Sequence, residues 1–292
     1  MGGTALRSIA RAGTLAAMFA TTAWAGAAAP ATDAAAQLRA RHAALAPELA
    51  HNDFGRPLAL ESHEEAHSVS GDVYAVIDYP FATVSQAFRD PHSWCEVLIL
   101  HLNTRYCRAK GNSVSVRMGR KNGRDLDDAF ALAFVFRADA PRPDFVDARV
   151  DSPSGPLGSR DYRIEMQAMP LPNGRSFMRL HYSYAFGTAA RLATKGYLAT
   201  SGSGKIGFTR EGGGYVRGMR GAVERNAMRY YLAVESYLSS QGAAPGRQFA
   251  TRIERWYDAT ERYSPQLHEM DRAAYLAMKQ HEYARQNEVA AH

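Results

Sequence analysis

Cysteine is scarce in this chain: of 292 residues only Cys95 and Cys107 are thiols, and both fall within "WCEVLILHLNTRYC" (94–107). With no second pair, a four-thiolate zinc site is excluded, and a mixed site would need two further ligands that no neighbouring motif supplies. Long apolar runs are missing too. The apolar stretch at residues 12–24 is shorter than the ~20 residues that span a bilayer. No G-x-S-x-G elbow marks a serine nucleophile. Charge of one sign is not concentrated anywhere: 35 basic and 29 acidic residues are spread along the chain, without the basic stripe a nucleic-acid binder would show.

What the N-terminus does have is a leader pattern. Arg7 and Arg11 are its only charges, an Ala-rich apolar stretch follows, and Ala23-Trp24-Ala25 is a small-x-small cleavage site. The expectation is export to the periplasm or outside, with residues 1–25 removed. No cysteine follows the cleavage site to carry a lipid. Loss of Arg7 and Arg11 lowers the net charge from +6 to +4. In an oxidising compartment two thiols are expected to pair, so Cys95 and Cys107 are assigned to one disulfide.

Past an Ala-rich segment (26–56), alternation takes over. "GDVYAVIDYPF" (71–81) reads as a strand. "FATVSQAFRDPHSWCEVL" reads as two short helices, with Thr83 as N-cap of the first and Pro91 opening the second. Strands are then expected at 99–107, 113–121, 129–138, 144–150, 159–169 and 175–187, separated by "KGN", "APRP", "SPSGP" and "PNG". Such short connections favour an antiparallel meander. Over 213–240, Val216, Met219, Val223, Ala227, Tyr230, Val234 and Tyr237 recur at spacings of three and four, the stripe of a long helix laid on that sheet. "GAAPG" (242–246) is a linker, and 251–286 reads as two short helices broken at Ser264-Pro265, with Trp256 and Tyr257 as docking residues.

This order of strand, two short helices, antiparallel meander and long C-terminal helix resembles the START-like (polyketide cyclase-like, SRPBCC) superfamily. "GDVYAVIDYPFATVSQAFRDPHSWCEVL" looks like its opening strand and helix pair, and "GMRGAVERNAMRYYLAVESYL" like its gripping helix. "WCEVLILHLNTRYC" and "YLATSGSGKIGFT" look like an exported bacterial branch. The resemblance covers roughly residues 68–240. It implies an α+β fold, a curved antiparallel sheet wrapped around a long helix, here spanning 57–240 with a helical extension at 241–292.

A sheet wrapped around one helix leaves a concave, apolar volume suited to one hydrophobic molecule, lipid or sterol-like. Phe130, Leu132, Phe134 and Phe136 are expected on one face of a central strand, and Met178, Leu180, Tyr182 and Tyr184 on one face of the last. The binding set is Phe134, Tyr182, Tyr184, Met219, Arg220, Val223 and Glu224, with Arg220 and Glu224 as a polar anchor. No cofactor is implied. A monomer is expected, with peripheral membrane contact as a further partner. Two other readings use the same chain: a cyclase- or hydrolase-type enzyme with a tyrosine or histidine (His101 or His181) as acid or base, and an envelope scaffold acting through its C-terminal helices.

Two motifs match patterns without the context their chemistry needs. "HEEAH" (63–67) satisfies H-E-x-x-H, but its flanks read as strands, whereas zinc ligation needs a helix that puts His63 and His67 on one face. "GSGKIG" (202–207) satisfies G-x-G-x-x-G without a preceding strand, and reads as a loop before the long helix, a lid over the cavity.

Overall fold

The computed structural model describes residues 1–2, 33–119, 126, 128–188, 191–192, 196, 200 and 204–290. The leader read over 1–25 lies outside them beyond its first two residues, as do Gly202 and Ser203 of the glycine-rich motif. Residues 34–292 form one compact unit. Its elements are α1 (Ala34–Ala44), α2 (Ala46–Ala50), β1 (Leu58–Glu64), β2 (Ser68–Ile77), α3 (Phe81–Phe88), α4 (Pro91–Leu98), β3 (Thr104–Lys110), β4 (Ser113–Met118), β5 (Phe130–Ala138), β6 (Val146–Ser154), β7 (Ser159–Leu171), β8 (Arg175–Phe186), a two-strand ribbon β9 (Arg210–Glu211) and β10 (Gly214–Tyr215), α5 (Gly218–Ser240), α6 (Gln248–Glu261), α7 (Ser264–Leu267) and α8 (Arg272–Ala290).

The eight long strands form one sheet in the order β1-β2-β8-β7-β6-β5-β4-β3, and every pairing is antiparallel. This is the α+β helix-grip arrangement that the resemblance implies. Alternation gives the sheet two chemically distinct faces. Register places Phe136, Val150, Ile164, Tyr182, Gly71 and Ser62 in one cross-strand row, and this face packs against α5. One residue along, Arg137, Arg149, Glu165, His181, Asp72 and Glu61 form a row that faces the other way.

Gly71 is where helix and sheet come closest. A Cβ there would lie 3.3 Å from Ala227 Cβ and 3.4 Å from the Val223 carbonyl oxygen. The bare backbone thus lets α5 settle onto β2.

The Ala-rich N-terminal segment is more than a tether. Leu38 of α1, Leu45 between the helices and Leu49 of α2 are buried on the outer face of the sheet against Ala59, Tyr74, Phe145, Met169 and Phe177. At about 1.5–3 kcal/mol for each buried leucine, this second layer is a substantial part of the fold.

Several expected boundaries move. Residues 99–103 are a turn, not the start of a strand: Ile99 N–H donates to Cys95 O, Leu100 N–H to Val97 O and His101 N–H to Leu98 O, winding the chain tightly off α4. Ile99 and Leu100 are completely buried, so this apolar run has no solvent side and no alternation. Helix α3 begins at Phe81 after Pro80, which places Thr83 inside it rather than at its cap. Asp90 caps α4, its side chain accepting from His92 N–H, with Pro91 at the first helical position as expected. Helix α5 starts at Gly218 instead of 213, because Gly212 and Gly213 take positive φ (56° and 83°) and turn the β9–β10 ribbon. Strand β5 lies toward one side of the sheet, and Phe130 at its start is 46% exposed, outside the buried face.

Cys95 of α4 and Cys107 of β3 form the disulfide, with Cα atoms 5.2 Å apart. The C-terminal extension, three helices where two were expected, clamps the same region. Trp256 donates its indole N–H to Arg229 O (3.0 Å) and stacks on Tyr275. The Tyr275 hydroxyl donates to Leu100 O at 3.0 Å. Lys279 is wholly buried and donates to His101 O (2.7 Å), Thr104 O (2.9 Å) and Glu282 Oε2 (2.8 Å). Burial pulls its pKa down to about 8, against the pull of Glu282. No described helix is long and apolar enough to cross a membrane.

Candidate ligand site between sheet and helix

Four tyrosines meet between β7, β8 and α5. Tyr162 stacks on Tyr184 at 5.2 Å, Tyr182 lies 5.3 Å from Tyr230, and Tyr162 and Tyr182 are 6.5 Å apart. Parity explains the meeting: Tyr162 shares its face with Ile164 and Met166, Tyr182 and Tyr184 follow Leu180, and Tyr230 lies on the apolar stripe of α5. Burial pushes all four phenols up in pKa, Tyr182 further through its tyrosine neighbours. At neutral pH each is therefore a neutral hydroxyl set among apolar groups. Tyr162 exchanges a hydrogen bond with Ser159 Oγ at 2.9 Å.

His101 extends this set. Its ring stacks on Tyr230 (5.0 Å), Nε2 lies 3.4 Å from Asn226 Oδ1, and Nδ1 accepts from Asn103 N–H at 3.2 Å. Burial, reinforced by Arg229 and Lys279, lowers its pKa to about 3. His101 is thus a neutral ring whose Nδ1 is already occupied, a poor proton shuttle. His181, the other histidine considered as acid or base, faces away from the helix, where its Nδ1 lies 2.9 Å from Asp72 Oδ1. Burial alone would raise the Asp72 pKa, but His181 and Arg179 together hold it below its ordinary value.

Of the seven residues named from sequence, Phe134, Tyr182, Met219 and Val223 are buried in one continuous apolar cluster, and Tyr184 packs against it half-buried. Glu224 is completely buried, yet its oxygens are taken by the protein itself. Oε2 accepts from the main-chain N–H groups of Phe208 (2.5 Å) and Thr209 (3.0 Å), and Oε1 from the hydroxyls of Ser62 (2.5 Å) and Thr209 (2.7 Å). Arg220 donates to Ser62 Oγ (2.8 Å) and to Glu211 Oε1 (2.6 Å). The pair is a fastening, tying the 204–216 segment to α5 and β1. Gly207 fits against it because any Cβ would fall 2.4 Å from Glu224 Oε2.

Tyr162, Tyr230, His101 and Asn226 were absent from the sequence-derived binding set. The first two carried a usable signal, since each lies on a periodic apolar face. The others did not, since His101 comes from the irregular turn and Asn226 lies beside the helix stripe. His63 and His67 flank an exposed hairpin turn between β1 and β2. Among the described residues no group of three or more His, Cys, Asp or Glu side chains is placed to hold a metal ion.

No protein-family model matches the chain, and no curated protein does. Among solved structures it is similar to a conserved protein of unknown function from Enterococcus faecalis, at 8% identity over 68% of this chain and 88% of that one, with a TM-score of 0.31. It is also similar to a protein from Arthrobacter aurescens solved by NMR, at 12% identity over 60% and 91%, with a TM-score of 0.32. A third is human StAR-related lipid transfer protein 5, at 8% identity over 78% and 97%, with a TM-score of 0.29. The fold assignment rests on the strand order and pairing of the chain itself.

Proposed function

We propose that this protein is an exported, non-catalytic carrier of one hydrophobic small molecule, lipid or sterol-like, held between the sheet and α5. The supporting observation is the tyrosine group. Four neutral phenols, three buried in the apolar cluster that holds Phe134, Met219 and Val223 and Tyr184 packed against it, provide an apolar body and hydroxyls that orient the polar end of a ligand. Tyr182 and Tyr184 contact the ligand from the sheet, and Tyr230 from the helix. Arg220 and Glu224 serve the site indirectly, by holding the 204–216 segment in place. Disulfide-bonded cysteines suit an oxidising compartment and agree with the leader pattern. The protein works as a monomer, and peripheral membrane contact serves ligand exchange.

The test is native mass spectrometry of protein isolated from its own compartment, followed by titration with a fluorescent fatty acid and a fluorescent sterol. A co-purifying lipid, and probe binding weakened in the Tyr182→Phe/Tyr230→Phe variant without loss of stability, supports the carrier. A wild type that co-purifies with nothing and binds neither probe overturns it and leaves the scaffold reading.

A further inference from the structure

A concavity lies where the end of α3 meets β5 and β6, with the outward-facing Arg137 and Arg149 in its wall. Its volume is about 600 Å³, and its walls include Arg89, Asn112, Arg137, Asp139, Asp147 and Arg149. Register puts Arg137 directly opposite Arg149 on the neighbouring strand. Like charges so placed repel, and the carboxylates near them are shared: Arg149 also faces Glu165 across the β6–β7 pairing. Asp151 accepts from Arg137 Nη1 (2.9 Å) and Arg149 Nε (3.2 Å), and also from Arg163 Nε (2.8 Å). Three guanidinium groups therefore share a single carboxylate.

Arg89 comes in from the other wall with neutral partners. It donates to the main-chain oxygens of Asp139 and Ala140 (the latter at 3.1 Å) and to Ser85 Oγ at 3.2 Å. Two acids also line the hollow, and Asp147 already accepts from Gln167 Nε2 at 2.8 Å. The lining itself sets three arginines, Arg89, Arg137 and Arg149, against Asp139 and Asp147, a net positive charge beside carboxylate acceptors.

Guanidinium groups match the paired oxygens of a phosphate. A bare phosphate is far smaller than this hollow, whose volume is that of a site for a whole metabolite. The two acids can accept hydrogen bonds from hydroxyl groups of such a molecule. We infer that this outer hollow binds a small water-soluble phosphate ester bearing hydroxyl groups, of the sugar-phosphate class. Its phosphate lies among Arg89, Arg137 and Arg149, and its hydroxyls lie on Asp139 and Asp147. Arg137 and Arg149 belong to the outward-facing row, and the site does not depend on the proposed carrier cavity.

Isothermal titration of the full mature chain with glucose 6-phosphate at low ionic strength tests this. Saturable one-to-one binding is expected with a dissociation constant of about 1 mM or tighter. Glucose and inorganic phosphate should each bind at least about tenfold more weakly, and the Arg137→Gln/Arg149→Gln variant should lose at least about tenfold in affinity. Arg89→Gln, outside the sheet's charge network, should weaken binding as well. Both variants should melt cooperatively and bind hydrophobic probes as the wild type does. Absence of heat at about 10 mM ligand, equal affinity in wild type and variants, or equal affinity for inorganic phosphate overturns the inference. Binding to phosphatidylglycerol vesicles without binding of the soluble ester overturns it in favour of a membrane surface. Loss of cooperative melting in both variants would make the arginines structural, and would overturn it as well.

Discussion

Acid should find the interior of this protein through His101. In the folded chain its pKa is about 3 against an ordinary 6.5, because burial disfavours the imidazolium and Arg229 and Lys279 add like charge. Geometry points the same way. Nδ1 accepts from Asn103 N–H, so a proton there would set two donors against each other. The unfolded chain takes up that proton as pH falls through 6.5, whereas the folded chain resists until about 3. His101 therefore favours folding fully above 6.5, and this contribution is lost progressively as pH falls toward 3. The full loss is about 5 kcal/mol, of which about 2 kcal/mol is felt between pH 7.5 and 5. Other groups titrate in the same window, so the measurement is a difference. Urea unfolding of wild type and His101→Gln, taken in half-unit steps, should give curves that converge toward acid by about 2 kcal/mol at pH 5. In the wild type the His101 ring proton should show no NMR titration above pH 5. Parallel stability curves, or a His101 shift that titrates near 6.5, would refute the account of a buried neutral ring.

Three further outcomes follow from individual contacts. Glu224→Ala removes the acceptor of the Phe208 and Thr209 N–H groups, at about 1–3 kcal/mol for each left unpaired. Faster hydrogen exchange over 204–216 should accompany any fall in stability, and unchanged exchange there would contradict the fastening role. Replacing both cysteines with serine should cost about 3 kcal/mol in urea unfolding, and the unreduced wild type should resist alkylation. Gly71→Val sets a branched side chain against Ala227 and Val223 and should cost about 1–3 kcal/mol; a neutral result would mean α5 rides higher on the sheet than its contacts indicate.

The strands were legible wherever one face met water and the other did not. Val114 and Val116, or Tyr162, Ile164 and Met166, alternate because β4 and β7 have polar or charged outer neighbours, and their inward faces follow directly. Legibility failed where no such contrast exists. Ile99, Leu100 and Leu102 have no solvent side because they are enclosed by α4 and the C-terminal helices, a circumstance set by Tyr275 and Lys279 some 175 residues away. Lys279 and Glu282 are an i,i+3 pair that the fold buries. The carbonyls of His101 and Thr104, brought in by the fold, join the Glu282 carboxylate in making the burial of that lysine tolerable.

The two candidate sites differ in legibility for the same reason. An aromatic lining announces itself, since residues such as Leu180, Tyr182 and Tyr230 must face inward for the chain to fold at all. A charged hollow on the outer face leaves no such trace, because Arg137, Arg149 and Asp151 belong to strand positions where any polar residue satisfies the pattern. What distinguishes them is register: Arg137 opposite Arg149, with Asp151 one row away and opposite Arg163. A shift of one residue in the β5–β6 pairing would swap Phe136 and Arg137 between faces, placing a guanidinium in the apolar interior. The inner row therefore enforces the register, and the outer charge cluster is held in place by hydrophobic residues on the far side of its own strands.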